Sequence, residues 1–180
     1  STGGEEGLYT RVLLMTGRVR EAVTRVEKEV SVGWSYGGHA GVVFGAVLSV
    51  LANHSQQAGT IRNLFKNYAN KTSIFSGRIL IGDLLGNETD TSFYAEIIKG
   101  LKQQEDAEHQ AAESQLWVEE IGKKRIEHIV SNQHRRAYQR AAQVLGSLAE
   151  AYVAMGQKDR AREILRKYYA VKHNRFSAFR

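Results

Sequence analysis

The chain has 180 residues, 42% of them hydrophobic and 24% charged, a balance suited to one globular domain with its own core. It has no cysteine, which excludes disulfides, a thiolate nucleophile, cysteine-ligated zinc and iron–sulfur clusters within it. The formal net charge of +6 is uneven: residues 121–180 hold 14 Lys and Arg against 4 Asp and Glu, or +10, and residues 1–120 hold 11 against 15, or −4.

Proline is absent, where average usage would give roughly nine. Its ring breaks helix interiors, so its absence fits long uninterrupted helices. The start, Ser1 to Glu6, is polar and acidic. It lacks the basic start and apolar core of a secretory signal. For a chain without cysteine a reducing cytoplasm is the default expectation. A helix is predicted from about Glu6 to Val30 on Tyr9, Val12, Leu13, Val19, Val23 and Val26, or two helices broken at Gly17. Five glycines between Gly33 and Gly45 predict flexible backbone near Gly37 and Gly38. The chain therefore reads as one all-helical domain, 1–180, with a possible subdivision near 33–38.

Ala40 to Ala52 is a thirteen-residue apolar run. That is short of the roughly 20 residues a bilayer requires, so it reads as a helix buried on most sides, with no membrane contact. Ser55 is a candidate cap for a helix reaching about Tyr68. Gly77 to Leu85 is apolar but too short for periodicity to separate helix from strand. Helices are predicted over Ser92–Lys102 and, long and polar, over Asp106 to about Val130, with Glu113, Glu119 and Glu120 on a solvated face.

The end of the chain reads as a helical hairpin over 134–172. Val144, Leu145, Leu148, Ala151, Tyr152 and Met155 share one face of a 3.6-residue period, Gly156 stops the helix, and a second stripe follows at Ala161, Ile164, Leu165 and Tyr168. Gly17-Arg18-Val19-Arg20-Glu21-Ala22 has the same glycine-to-alanine spacing as Gly156-Gln157-Lys158-Asp159-Arg160-Ala161.

The hairpin Leu145–Tyr168 resembles the tetratricopeptide pattern at Leu148, Ala149, Tyr152, Gly156, Ala161 and Leu165, although Leu145 stands where tryptophan is common. The wider segment from Phe93 to Arg180 is similar to a helical region of bacterial proteins that carry SWIM-type zinc fingers. The matching stretches are Arg125 to Val130, His134 to Tyr138, Arg140 to Ala142 and Phe176 to Arg180. The zinc finger itself needs cysteines and is not in this chain. The resemblance implies an all-helical module. The expected architecture is an all-α, right-handed array of helical hairpins, tetratricopeptide-like at the C-terminal end, that binds another protein or another part of a longer chain.

Three chemistries have candidate residues in the chain. Gly33-Trp34-Ser35-Tyr36-Gly37 fits the Gly-x-Ser-x-Gly nucleophile elbow, with Asp83 and His109 or His128 following in triad order. The preceding segment is too charged for a central strand, which argues against a hydrolase. The six histidines form no strong metal spacing; Glu105 and His109 are a lone pair, so no metal and no cofactor is expected. The basic set His134, Arg135, Arg136, Tyr138, Arg140, Arg162 and Arg166 is the candidate binding site. Guanidinium groups hold carboxylates or phosphates in a fork, and aromatics can stack on bases. The leading expectation is a non-catalytic module with a protein partner; nucleic acid is the alternative.

Overall fold

The structure, a computed structural model, describes residues 2–28, 34, 39–71, 92–132 and 135–173. The described residues form helices and turns alone: α1 (Thr2–Met15), α2 (Val19–Val26), α3 (Ala40–Leu51), α4 (Gly59–Asn70), α5 (Phe93–Gln103), α6 (Ala107–Glu113), α7 (Gln115–Ser131), a 3₁₀ turn (Arg135–Ala137), α8 (Tyr138–Ala154) and α9 (Lys158–His173). The protein is all-α. The apolar segment Gly77 to Leu85 lies outside the described residues, as do Ser35, Tyr36 and His134.

Gly17 divides the first predicted helix. It sits at φ +74°, a conformation that carries no Cβ penalty in glycine alone, and its N–H donates to the Leu14 carbonyl while Arg18 N–H donates to Leu13. Gly156 repeats the device at φ +78°, with Gly156 N–H on Val153 and Gln157 N–H on Tyr152. In both hairpins the next helix starts two residues after the glycine, and the alanine five residues after it, Ala22 or Ala161, is buried. The match between the two segments is thus one turn geometry used twice.

The core is built around α3. Its residues from Ala40 to Val50 are all buried, so this helix has no solvated face. It packs against α1, α2, α4, α5, α6, α7 and α8. Gly41 and Gly45, one turn apart, face α4: a Cβ on Gly41 would lie 2.6 Å from the Tyr68 ring, and one on Gly45 2.9 Å from Phe65. The absence of side chains there sets how closely the two helices approach. Trp34, the one described residue between 29 and 38, is buried against Phe44 and Tyr68, with ring centroids 4.9 and 5.6 Å away, under the Arg125 guanidinium.

Around that centre the remaining helices pair across long sequence distances: α1 on α5, α2 on α6, and α4 on α5 and α8. The described helices therefore wrap a central one, while side-by-side stacking runs along α7, α8 and α9. The long polar helix expected over Asp106 to Val130 is two helices. The Ser114 hydroxyl bonds back to the Gln110 carbonyl at 3.0 Å and its N–H to Ala111, and the ladder breaks there. Ser55 does not cap α4. Its Oγ accepts from Gln57 N–H at 3.2 Å within a turn, and α4 opens at Gly59 instead. The N–H groups of Thr60 and Ile61 are met by both carboxylate oxygens of Glu150 on α8, at 3.0 and 2.9 Å. An anion from a distant helix here does the work of a local cap.

Candidate interaction site

The C-terminal helices hold the candidate site, and a buried carboxylate organises them. Glu119, expected on a solvated face, is 8% exposed. Its oxygens accept from Arg160 of α9 at 2.9 Å and from Gln115 at 3.2 Å, and it takes the Tyr152 hydroxyl hydrogen bond from α8. Eight residues along, Glu127 accepts from the Tyr168 hydroxyl at 3.0 Å. Both contacts join residues 41 apart in sequence, so α7 and α9 run parallel, in register, on either side of α8. Glu119, Lys123 and Glu127 are spaced at i, i+4, i+8 and form one stripe of α7. Of the other two carboxylates, Glu113 pairs with Arg20 at 2.8 Å, and Glu120 is exposed.

Between α7 and α9 this arrangement leaves a cleft of about 150 Å³ lined by Lys123, Tyr152, Arg160, Glu163, Ile164 and Lys167. Burial and the neighbouring carboxylates Glu119 and Glu127 push the Tyr152 and Tyr168 hydroxyls well above their ordinary range. Both stay protonated donors, because loss of the proton would place two negative oxygens in contact.

The sequence-predicted site residues fall into three groups. Arg135 and Arg136, in the 3₁₀ turn, and Arg140, in the first turn of α8, are exposed together at one end of the α8–α9 hairpin. Arg162 and Arg166, one turn apart on α9, are exposed on its outer side. Counting 1.5 Å per residue through the antiparallel turn, Arg140 and Arg162 stand roughly 15 Å apart along the hairpin. Tyr138 is 2% exposed and belongs to the core. Among these five arginines the described partners include one carboxylate, Asp159, 3.5 Å from Arg162 and itself fully in solvent. Such a pair contributes little.

Sequence reasoning missed Lys123 and Tyr152 as lining of the cleft. The 41-residue offset that brings α7 to α9 has no local signature, although the Glu119-Lys123-Glu127 spacing is a visible trace of it. Tyr168 sits in the core at 1% exposure, as its stripe requires. Two exposed apolar side chains adjoin the basic surface: Leu165, beside Arg162 and Arg166 on α9, and Val153 near the hairpin tip.

Of the triad candidates, His109 is exposed and engaged with Glu113 at 2.9 Å, and His128 Nδ1 meets the Asn132 amide. Ser35 and Asp83 lie outside the described residues. Among the described residues no three His, Asp or Glu side chains come together as a metal would need, and no helix is long and apolar enough to cross a membrane. In comparison with known proteins, no family model matches this chain, and no curated protein or solved structure matches it.

Proposed function

We propose that this protein is a non-catalytic helical interaction module, repeat-like over α7, α8 and α9, that holds an acidic amphipathic segment of a partner protein along the outer side of its C-terminal hairpin. One observation carries this reading. Five exposed arginines stand on helical elements with a single weak carboxylate partner among the described residues, and exposed apolar Leu165 lies beside two of them, Arg162 and Arg166. Rigid mounting lowers the ordering cost of association. Unneutralised guanidinium groups take carboxylates in fork geometry, and the apolar side chain gives a peptide something to cover that a phosphate backbone does not.

Nucleic acid is the second reading, and two of its candidate stacking residues do not serve it. Of the aromatic residues that interleave with the arginines in sequence, Tyr138 and Tyr168 are buried and offer no face on which a base can stack, while the Tyr169 side chain and Phe176 lie outside the described residues.

The test is fluorescence anisotropy with two probes of equal charge, an amphipathic Glu/Leu peptide and single-stranded DNA, at low salt and at about 0.15 M. Both should weaken as salt rises, and at the higher salt the peptide should bind more tightly than the DNA. Arg135→Glu, Arg136→Glu and Arg140→Glu together should weaken it at least tenfold while leaving helicity by circular dichroism unchanged. DNA binding that is tighter than peptide binding, and that persists at the higher salt, would overturn the reading.

A further inference from the structure

A second concave site lies between the α3–α4 turn, the first turn of α4 and α5. It is a cavity of about 80 Å³ lined by Ser49, His54, Ser55, Arg62, Tyr94 and Lys102, among others. That exceeds the ~30 Å³ a water takes in the liquid. Two cations, Arg62 and Lys102, line it, and among the described residues its lining includes no carboxylate. Arg62 spends one donor on the Gln56 carbonyl at 3.1 Å, leaving the rest of its fork to point elsewhere.

The backbone beside the cavity is held in an uncommon conformation. Asn53 and His54 stand at φ 52° and 51°, two successive non-glycine residues in the left-handed region. Such geometry costs free energy and gathers where a side chain must be aimed. It turns His54 into the cavity region with its Nδ1 buried and, among the described residues, without a hydrogen-bond partner.

We infer that this cavity is a binding site for a small oxyanion of the phosphate class, held between Arg62 and Lys102 with the His54 ring as a proton-linked donor. The charges around His54 agree with it. Arg62 comes from α4 and Lys102 from α5, Tyr94 lines the same wall, and Glu108 of α6 is the carboxylate His54 senses. Burial foremost, and then Lys102, hold the imidazole below its usual range, and Glu108 offsets this only in part. An empty site therefore keeps His54 neutral near pH 7. A bound dianion favours the charged ring, so by linkage the anion raises the His54 pKa and acid tightens the anion.

The experiment follows the His54 ring proton by NMR across pH, alone and with inorganic phosphate, sulfate or ribose 5-phosphate up to about 10 mM. Sulfate keeps its charge over this range and isolates the protein's own titration. Phosphate and sulfate should each raise the His54 midpoint, and sulfate should bind several-fold more tightly at pH 5 than at pH 8. Arg62→Met with Lys102→Met should abolish both effects. His54→Asn, which tolerates the same backbone, should keep weak sulfate binding and lose its pH dependence. Equal binding of phosphate and ribose 5-phosphate would assign the site to the free oxyanion, and tighter sugar phosphate would assign it to the phosphate group of a larger molecule. A His54 midpoint that does not move, or that moves equally in the double methionine variant, overturns the inference.

Discussion

Arg11 shows how much one residue can carry. It is 3% exposed in the middle of α1, and its guanidinium donates to four carbonyls: Gly7 at 2.9 Å, Ala69 at 2.9 Å, Tyr68 at 2.9 Å and Lys71 at 2.8 Å. Three of these belong to the end of α4, where the helix leaves orphan carbonyls and a partial negative charge. Burial lowers the Arg11 pKa to about 10, so the group is still fully charged at neutral pH. Arg11→Lys keeps the charge but not the planar fork, and Arg11→Met leaves the carbonyls unmet. Chemical denaturation should show losses of about 2 kcal/mol and about 3–5 kcal/mol respectively. Equal losses for the two would mean that charge alone, and not fork geometry, matters here.

The buried tyrosine–carboxylate pairs make a pH prediction at the same scale. In the folded protein the Tyr152 and Tyr168 hydroxyls titrate above the ordinary value near 10, chiefly through burial and then through Glu119 and Glu127. The folded state thus binds protons that the unfolded chain has released. The stability from these pairs is fully present below pH 10 and falls as pH rises beyond it. Tyr152→Phe with Tyr168→Phe should flatten the loss of Tm between pH 10 and 11.5 relative to the parent. An unchanged slope would show that these hydroxyls do not govern it.

At the scale of elements, helix ends explain most of the turns. Three helices close with the same pair of hydrogen bonds. For α3 these are Asn53 N–H to Val50 and His54 N–H to Ser49. Gly17 and Gly156 fill the left-handed position in the other two, whereas α3 has Asn53 at φ 52°. Asn53→Gly should therefore stabilise the protein by about 0.5–1 kcal/mol, read from the midpoint of urea unfolding. Destabilisation would mean that the asparagine side chain has a bond worth more than the strain. The start of α5 was legible in the same local terms, since Ser92 caps it and accepts from Ala95 N–H at 3.1 Å. The start of α4 was not, because its cap is Glu150, ninety residues away.

For the whole molecule, the governing fact is that α3 lies inside the others. Every backbone amide of Val43 to Val50 sits in a helix with no solvated side, so exchange there requires global opening. Hydrogen exchange should find these amides the slowest, with α9, packed chiefly on α8, exchanging through smaller openings. If α9 proves as slow as α3, the C-terminal hairpin is part of one cooperative unit and not a repeat docked on a core. The same arrangement leaves the exposed arginines on the outer elements, where their field steers acidic partners and is screened by salt.

The sequence by itself determined the all-α class, the buried nature of Ala40 to Ala52, the two glycine turns and, except for exposed Leu165, the apolar stripe of the last hairpin. Each of these rests on local periodicity or on a backbone conformation that one residue type adopts best. Tertiary structure alone decided that Glu119 is buried and Glu120 is not, that Tyr138 is core while Arg140 is surface, and that Arg62 meets Lys102 across a cavity. Those outcomes depend on which helix lies against which. Helix-to-helix offsets such as the 41 residues joining α7 to α9 are set by burial summed over whole helix faces, which no local pattern encodes.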